Sequence, residues 1–203
     1  MRKLLVNTFL TLDGVMQAPG RPGEDDDGGF TKGGWSVTYW DERMGEVMAE
    51  TMGRPFDLLL GRKTYDIFAE YWPKVSDEDG GKPLNDATKY VVSHGQPQLD
   101  WAESILINSD AVAGITALKQ SEGPEIQVHG SGNLMQTLLR HNLVDELRLW
   151  IFPVLIGSGK RLFSDGVVPA GLKLVDSAIS STGVVIGTYQ PAGEIPIGSF
   201  ALD

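Results

Sequence analysis

The chain has 203 residues, 41 % hydrophobic and 22 % charged, with 17 basic against 27 acidic side chains and a net charge of −10. That length supports one sizeable core, and that charge repels nucleic acid and anionic lipid, so neither is expected as a partner. Cysteine is absent, which excludes disulfides, thiol catalysis and cysteine-based metal sites and fits a cytoplasmic protein. No apolar run reaches membrane-spanning length, and the three histidines (His94, His129, His141) show no metal-ligand spacing.

Lys3 to Leu10 is an apolar run expected to form a buried strand, closed by Thr11-Leu12-Asp13-Gly14. From Gln17 to Gly34 the composition turns to proline, glycine and the acids Glu24 to Asp27. A loop this long inside a compact domain is a functional lid or is disordered. Its acids read as a solvated tip rather than a metal site, because three adjacent carboxylates cannot all face one ion. Trp40, Met44, Val47, Met48 and Thr51 recur at helical spacing until Pro55. Phe56 to Leu60 is a short strand, and Gly61-Arg62-Lys63-Thr64-Tyr65 opens a helix toward Phe68. Ser76 to Pro83 is an acidic, glycine-rich surface loop.

Lys89 to Val92 is a strand ended by Ser93-His94-Gly95, followed by a strand over Ser104 to Ile107 and a helix over Ala111 to Lys119. The strand Glu125 to Val128 breaks through His129-Gly130-Ser131-Gly132-Asn133 into a helix that runs from Leu134 to His141. Asp145 to Phe152 alternates as a strand. Its segment Leu149-Trp150-Ile151-Phe152 fits an exposed pairing edge and a buried central strand equally. Leu172 to Ile179 and Gly183 to Tyr189 form a hairpin around Ser180-Ser181-Thr182. Strands alternating with helices imply an α/β domain: a mainly parallel central sheet with helices on both faces and an antiparallel C-terminal edge hairpin. No composition shift divides the chain, so residues 1–190 read as one domain, with a loose Pro/Gly-rich tail over 191–203.

Three junctions carry residues suited to phosphate: Gly61-Arg62-Lys63-Thr64, Ser93-His94 and Gly130-Ser131-Gly132. In an open α/β sheet such junctions lie at the carboxyl ends of strands, where ligands bind. A strand that turns through small residues into a helix aims backbone N–H groups and the positive end of the helix dipole at one point. Arg62 offers a forked donor, and the Ser131 hydroxyl a further one. The bland alternatives are a tight turn with no ligand at Gly130 and plain surface charge at Arg62 and Lys63.

The order of Leu12-Asp13-Gly14, Leu60-Gly61-Arg62-Lys63-Thr64-Tyr65, Val91-Val92-Ser93 and Val128-His129-Gly130-Ser131-Gly132 resembles the dihydrofolate reductase superfold. Asp145 to Leu149, Phe152 to Gly159 and Leu162-Phe163 narrow the resemblance to the reductase domain of the bifunctional riboflavin-biosynthesis deaminase/reductase and its stand-alone bacterial relatives. The resemblance implies a homodimeric NADPH-dependent reductase acting on a small heterocyclic or sugar-derived substrate, of the ribosylaminouracil or pterin kind. It places Gly61, Arg62, Lys63 and Thr64 at the adenosine-side phosphates, Ser93 and His94 at the ribose 2′-phosphate, and Gly130, Ser131, Gly132, Asn133 and Leu134 under the pyrophosphate. The loop from Met16 to Gly34 takes the position of the lid beside the nicotinamide.

Two groups are candidates for a catalytic proton donor. His129, before the Gly130 turn, faces the substrate pocket in relatives or else is a buried, hydrogen-bonded core histidine. Asp13 carries a proton or orders the turn after the first strand. Two features depart from the relatives. The acid that dihydrofolate reductases carry on their first helix maps near Gly45, with most of the nearby Asp41, Glu42, Glu46 and Glu50 expected in solvent. The cations available for a ribose phosphate are Lys160, Arg161 and Arg21, and none matches well. The same scaffold could also serve as a non-catalytic nucleotide-binding or interaction protein.

Overall fold

A computed structural model describes residues 1–108, 110–163 and 167–200; residues 201–203 of the expected tail lie outside it. Among the described residues eight strands form one sheet: β1 (Leu4–Thr11), β2 (Phe56–Gly61), β3 (Lys89–Val92), β4 (Ser104–Ile107), β5 (Glu125–Val128), β6 (Glu146–Phe152), β7 (Leu172–Ile179) and β8 (Val185–Pro191). Their spatial order is β4-β3-β2-β5-β1-β6-β8-β7. The first six run parallel, and β8 and β7 pair antiparallel at one edge. Among the described residues five α-helices connect them: α1 (Glu42–Met52), α2 (Arg62–Tyr71), α3 (Lys82–Asp86), α4 (Ala111–Gln120) and α5 (Gly132–Arg140). The expected α/β architecture with its C-terminal hairpin is present.

Side chains alternate across a strand, so β1 feeds two separate cores. Leu4, Val6 and Leu10 pack with Ile115 and Leu118 of α4 and with Leu134, Met135 and Leu138 of α5. Phe9 points the other way, toward Met44 and Val47 of α1 and Trp150 and Phe152 of β6. Trp150 and Phe152 are fully buried. Leu149 to Phe152 is therefore a central strand, zipped to β1 on one side and β8 on the other. Burying a strand on both faces requires a continuous apolar run, which is why this segment reads like an exposed patch in sequence.

Two boundaries differ from expectation. The helix that the apolar stripe begins at Trp40 starts at Glu42, because Asp41 takes the N-cap and accepts a hydrogen bond from Met44 N at 2.9 Å. Trp40 is thereby left outside the helix, stacked on Trp150 at 6.1 Å between ring centres. The acidic loop expected to Pro83 ends at Gly81, with Pro83 in the first turn of α3, where its missing N–H costs nothing.

Candidate functional site

β3, β2 and β5 are neighbours and run parallel, so their carboxyl ends open on the same side. The segments that follow them line one groove of about 1740 Å³. Gly61, Arg62, Lys63 and Thr64 come from the end of β2, Ser93 and His94 from β3, and His129, Gly130, Ser131, Gly132, Asn133 and Leu134 from β5. The first N–H groups of α2 and α5 have no intrahelical acceptor, and no side chain caps either helix. Two helix ends with partial positive charge thus share the groove.

Ser131 links these two helix ends. Its Oγ accepts from Gly61 N at 2.8 Å and donates to Thr64 Oγ1 at 2.7 Å. The Ser131 hydroxyl proton is therefore spent inside the protein, which corrects its reading as a direct donor to a ligand. Thr64, having accepted that bond, keeps its own hydroxyl hydrogen to give. A Cβ on Gly61 would lie 3.0 Å from the Cβ and Oγ of Ser131, so glycine is what lets the two junctions meet. Ser131 itself sits at φ 72°, a left-handed conformation that turns the strand into α5.

The cations are paired rather than free. Arg62 Nε bonds both carboxylate oxygens of Asp66, at 2.7 and 2.9 Å, leaving its terminal nitrogens as the remaining fork. Lys63 Nζ lies 2.7 Å from Asp25 and 2.5 Å from Asp27, and Lys160 Nζ lies 2.6 Å from each. The acid run is thus a latch, not a solvated tip: it ties the loop preceding α1 to the first turn of α2 and to the turn around Lys160. Hydrogen bonds from Lys160 and Lys63 hold the Asp27 carboxyl down at about 2. Burial pushes Asp25 up, but the same two lysines outweigh it and its pKa falls. Gln17 Nε2 donates to the carbonyls of Asp25 and Asp27, at 3.0 Å each, and fixes the loop from within.

The two proton-donor candidates part company. Asp13 does not line the groove. Its carboxylate accepts from Thr11 Oγ1 at 2.5 Å, Ile156 N at 3.2 Å and Gly157 N at 2.7 Å. The Thr11 bond, with help from the two backbone donors, outweighs burial and lowers its pKa. This is an anionic clip between two loops, which corrects the catalytic reading.

His129 does reach the groove. Gln127 Nε2 donates to Thr51 O at 3.1 Å and to Glu125 Oε1 at 2.7 Å, which fixes the amide orientation. Gln127 Oε1 therefore faces His129 Nε2, 2.9 Å away, and that nitrogen carries the proton. Burial pushes the imidazole pKa down to about 4, so the ring is neutral at pH 7. An imidazole that is already neutral, with its one N–H committed, is a poor proton donor.

The wall of the groove along α1 is apolar, and it was not singled out from the sequence as part of a site. Gly45, Met48, Ala49 and Met52 of α1 face it, with Phe9, Trp40, Phe68 and Trp72 around them. Met44, Val47 and Thr51 form the buried stripe of α1. Met48 and Met52 flank that stripe, so the apolar arc is wider than the core consumes. That excess width was the available signal.

Residues 2–186 match the model of the RibD C-terminal domain. The uncharacterized protein YyaP of Bacillus subtilis is 34 % identical over 193 residues, covering 93 % of this chain and 95 % of that protein. A solved structure of a Shewanella sp. PV-4 protein named for riboflavin biosynthesis superposes with a TM-score of 0.70 at 21 % identity, over 95 % of this chain and 99 % of that one. Dihydrofolate reductase from Enterococcus faecalis, solved with NADP(H) and RAB-propyl, gives a TM-score of 0.60 at 14 % identity, over 93 % and 96 %. The sheet is thus dihydrofolate reductase-like, and the chain belongs to the RibD C-terminal domain family.

Proposed function

We propose that the protein is an NADPH-dependent reductase of a small organic substrate. One observation carries the reading: two helix N-termini without side-chain caps are pinned together by Ser131 and open on one groove with Arg62 beside them. Backbone donors converging from two helices suit a ligand with several phosphates. The N–H groups of Arg62 to Thr64 and of Gly132 to Leu134, with the Thr64 hydroxyl, would hold the diphosphate of the dinucleotide. Arg62, Ser93 and His94 are the groups available for the ribose 2′-phosphate. The dihydrofolate reductase of matching fold was solved with NADP(H), which supports the assignment.

When bound, NADPH supplies a hydride for an electrophilic carbon of a carbonyl, imine or activated double bond. The chain's own contribution is to orient the two partners. His129 and Asp13 are both committed elsewhere, so the proton that balances the hydride reaches the substrate heteroatom from solvent. The test is to titrate NADPH and NADH while following nicotinamide fluorescence, with Arg62→Ala in parallel. Saturable binding that prefers NADPH and weakens in the variant supports the reading; indifference to both nucleotides refutes it.

The absence of an acid on the groove face of α1 favours a second reading, a nucleotide-binding protein without turnover. Bound NADPH that stays unoxidised across carbonyl, pterin and pyrimidine substrates would select it. In either case we propose a homodimer. Leu172, Leu174, Val175 and Ile179 are exposed on the edge strand β7, and an unpaired apolar edge calls for a partner. Sedimentation equilibrium measures this directly.

A further inference from the structure

The substrate half of the groove differs from the half assigned to the nucleotide in a way that constrains what it can hold. The groove cations are engaged with protein partners, and the free part of Arg62, its terminal nitrogens, belongs to the nucleotide side. Arg62 is paired with Asp66; Lys63 and Lys160 share Asp25 and Asp27; Arg161 Nη2 donates to Gly157 O at 3.1 Å. The four groove cations come from the first turn of α2 or from the turn around Lys160. The part of α1 that faces the groove is Gly45, Met48, Ala49 and Met52, with no charged and no polar side chain. A carboxylate or phosphate carried by a substrate would lose its hydration against this wall and gain no partner.

Polar side chains do reach this space, Asn7 and Thr8 from β1 and His129 from the end of β5, and His129 brings a free acceptor. With its Nε2 proton given to Gln127, neutral His129 keeps a lone pair on Nδ1. Among the described residues nothing bonds to Nδ1, and no side-chain nitrogen or oxygen is both buried and unpartnered. Nδ1 is therefore reachable from the groove. The imidazole ring lies 6.5 Å from the Phe68 ring, between centres, so this acceptor sits at the edge of an aromatic wall.

We infer that the substrate is an uncharged planar ring compound, without phosphate or carboxylate, that gives one N–H or O–H hydrogen bond to His129 Nδ1 while its faces rest on Phe68, Trp40 and Met48. His129 is a recognition residue, an acceptor that selects for a donor. This rests on the reading of the groove as a reductase site, because it takes the other half as the place of the dinucleotide. It separates this protein from any reductase of a ribose phosphate, and it accounts for the lack of matching cations.

The test uses three probes: quinazolin-4(3H)-one, its 3-methyl derivative, which lacks the N–H, and a 6-carboxylate derivative. Each is titrated calorimetrically into the protein, with and without saturating NADPH. The expected order is the parent first, with the methylated and the carboxylate probes each about tenfold weaker, equivalent to about 1.4 kcal/mol. His129→Phe should erase the difference between the parent and methylated probes. Ala49→Lys, an exposed change on the groove face of α1, should raise the affinity of the carboxylate probe relative to the parent at least several-fold. Equal binding of parent and methylated probes, carboxylate binding as tight as the parent, or no saturable binding of any probe up to about 1 mM overturns the inference. If NADPH fails to bind, the reductase reading falls, whereas the probe order on nucleotide-free protein still decides this one.

Discussion

The two halves of the groove are built from different materials. The half at the N-termini of α2 and α5 is made of backbone, with N–H groups positioned by glycines and locked by Ser131. The half along α1 is made of side chains, mostly large and apolar, that the sheet leaves uncovered. Backbone donors can be supplied by almost any sequence that turns at the right place, so a nucleotide grip can be kept while the opposite wall changes. The apolar wall has no such constraint, and its lining sets what the protein recognises. The difference suggests how one scaffold can retain a cofactor and exchange substrates.

The sharpest test of the comparison is His129, a polar side chain on the apolar side. Its folded pKa, about 4, lies below the ordinary value of 6.5. Between those values the unfolded chain takes up a proton that the folded chain refuses, so stability falls as pH drops from 6.5 to 4. The size is about 3 kcal/mol. Urea midpoints of wild type and His129→Phe measured from pH 7 to pH 4 should diverge by that amount, with the variant losing less. Parallel curves would mean that the ring is solvated and the wall is not dry.

On the nucleotide side, Arg62→Ala should weaken NADPH by roughly tenfold to hundredfold, about 1.5–3 kcal/mol, with no effect on the probe order. A smaller effect follows from Ser131→Ala, which unpairs Gly61 N and Thr64 Oγ1. We expect about 1–2 kcal/mol of lost stability and weaker NADPH binding, read by thermal melts and nucleotide titration. Loss of stability with unchanged NADPH affinity would show that the pin holds the fold rather than the grip. The least effect is expected at Gly45→Asp. A Cβ there meets nothing within 4 Å, and the change replaces a helix-weakening glycine. Its melting temperature should move by little, while the added carboxylate should weaken the anionic probe further and sharpen the contrast between the halves.

Much of the fold was legible because its signals are local. The apolar run of β1, the helical spacing from Met44 to Thr51 and the hairpin around Ser181 each declare themselves within one continuous stretch of the chain. The groove was legible in part for the same reason: strand-to-helix turns at Gly61 and Gly130 are written in adjacent residues, and the parallel sheet brings them to one side. The partners of Lys63 were not, since Asp25 and Asp27 lie in a different loop and pair with it only after folding. Nor was the place of Leu149 to Phe152, since exposed and buried sheets demand the same apolar letters until the neighbouring strands are known.

The order of strands and helices, the junction glycines and the acidic surface charge were determined by sequence alone, because each depends on neighbours along the chain. Tertiary structure decided what Ser131, Asp13 and His129 do. The bonds of Ser131 to Gly61 and of Asp13 to Gly157 exist only where separate segments meet, and the short-range bond of His129 to Gln127 takes its direction from the contact of Gln127 with Thr51, so each bond to protein decides which atom is spent and which is left for a ligand.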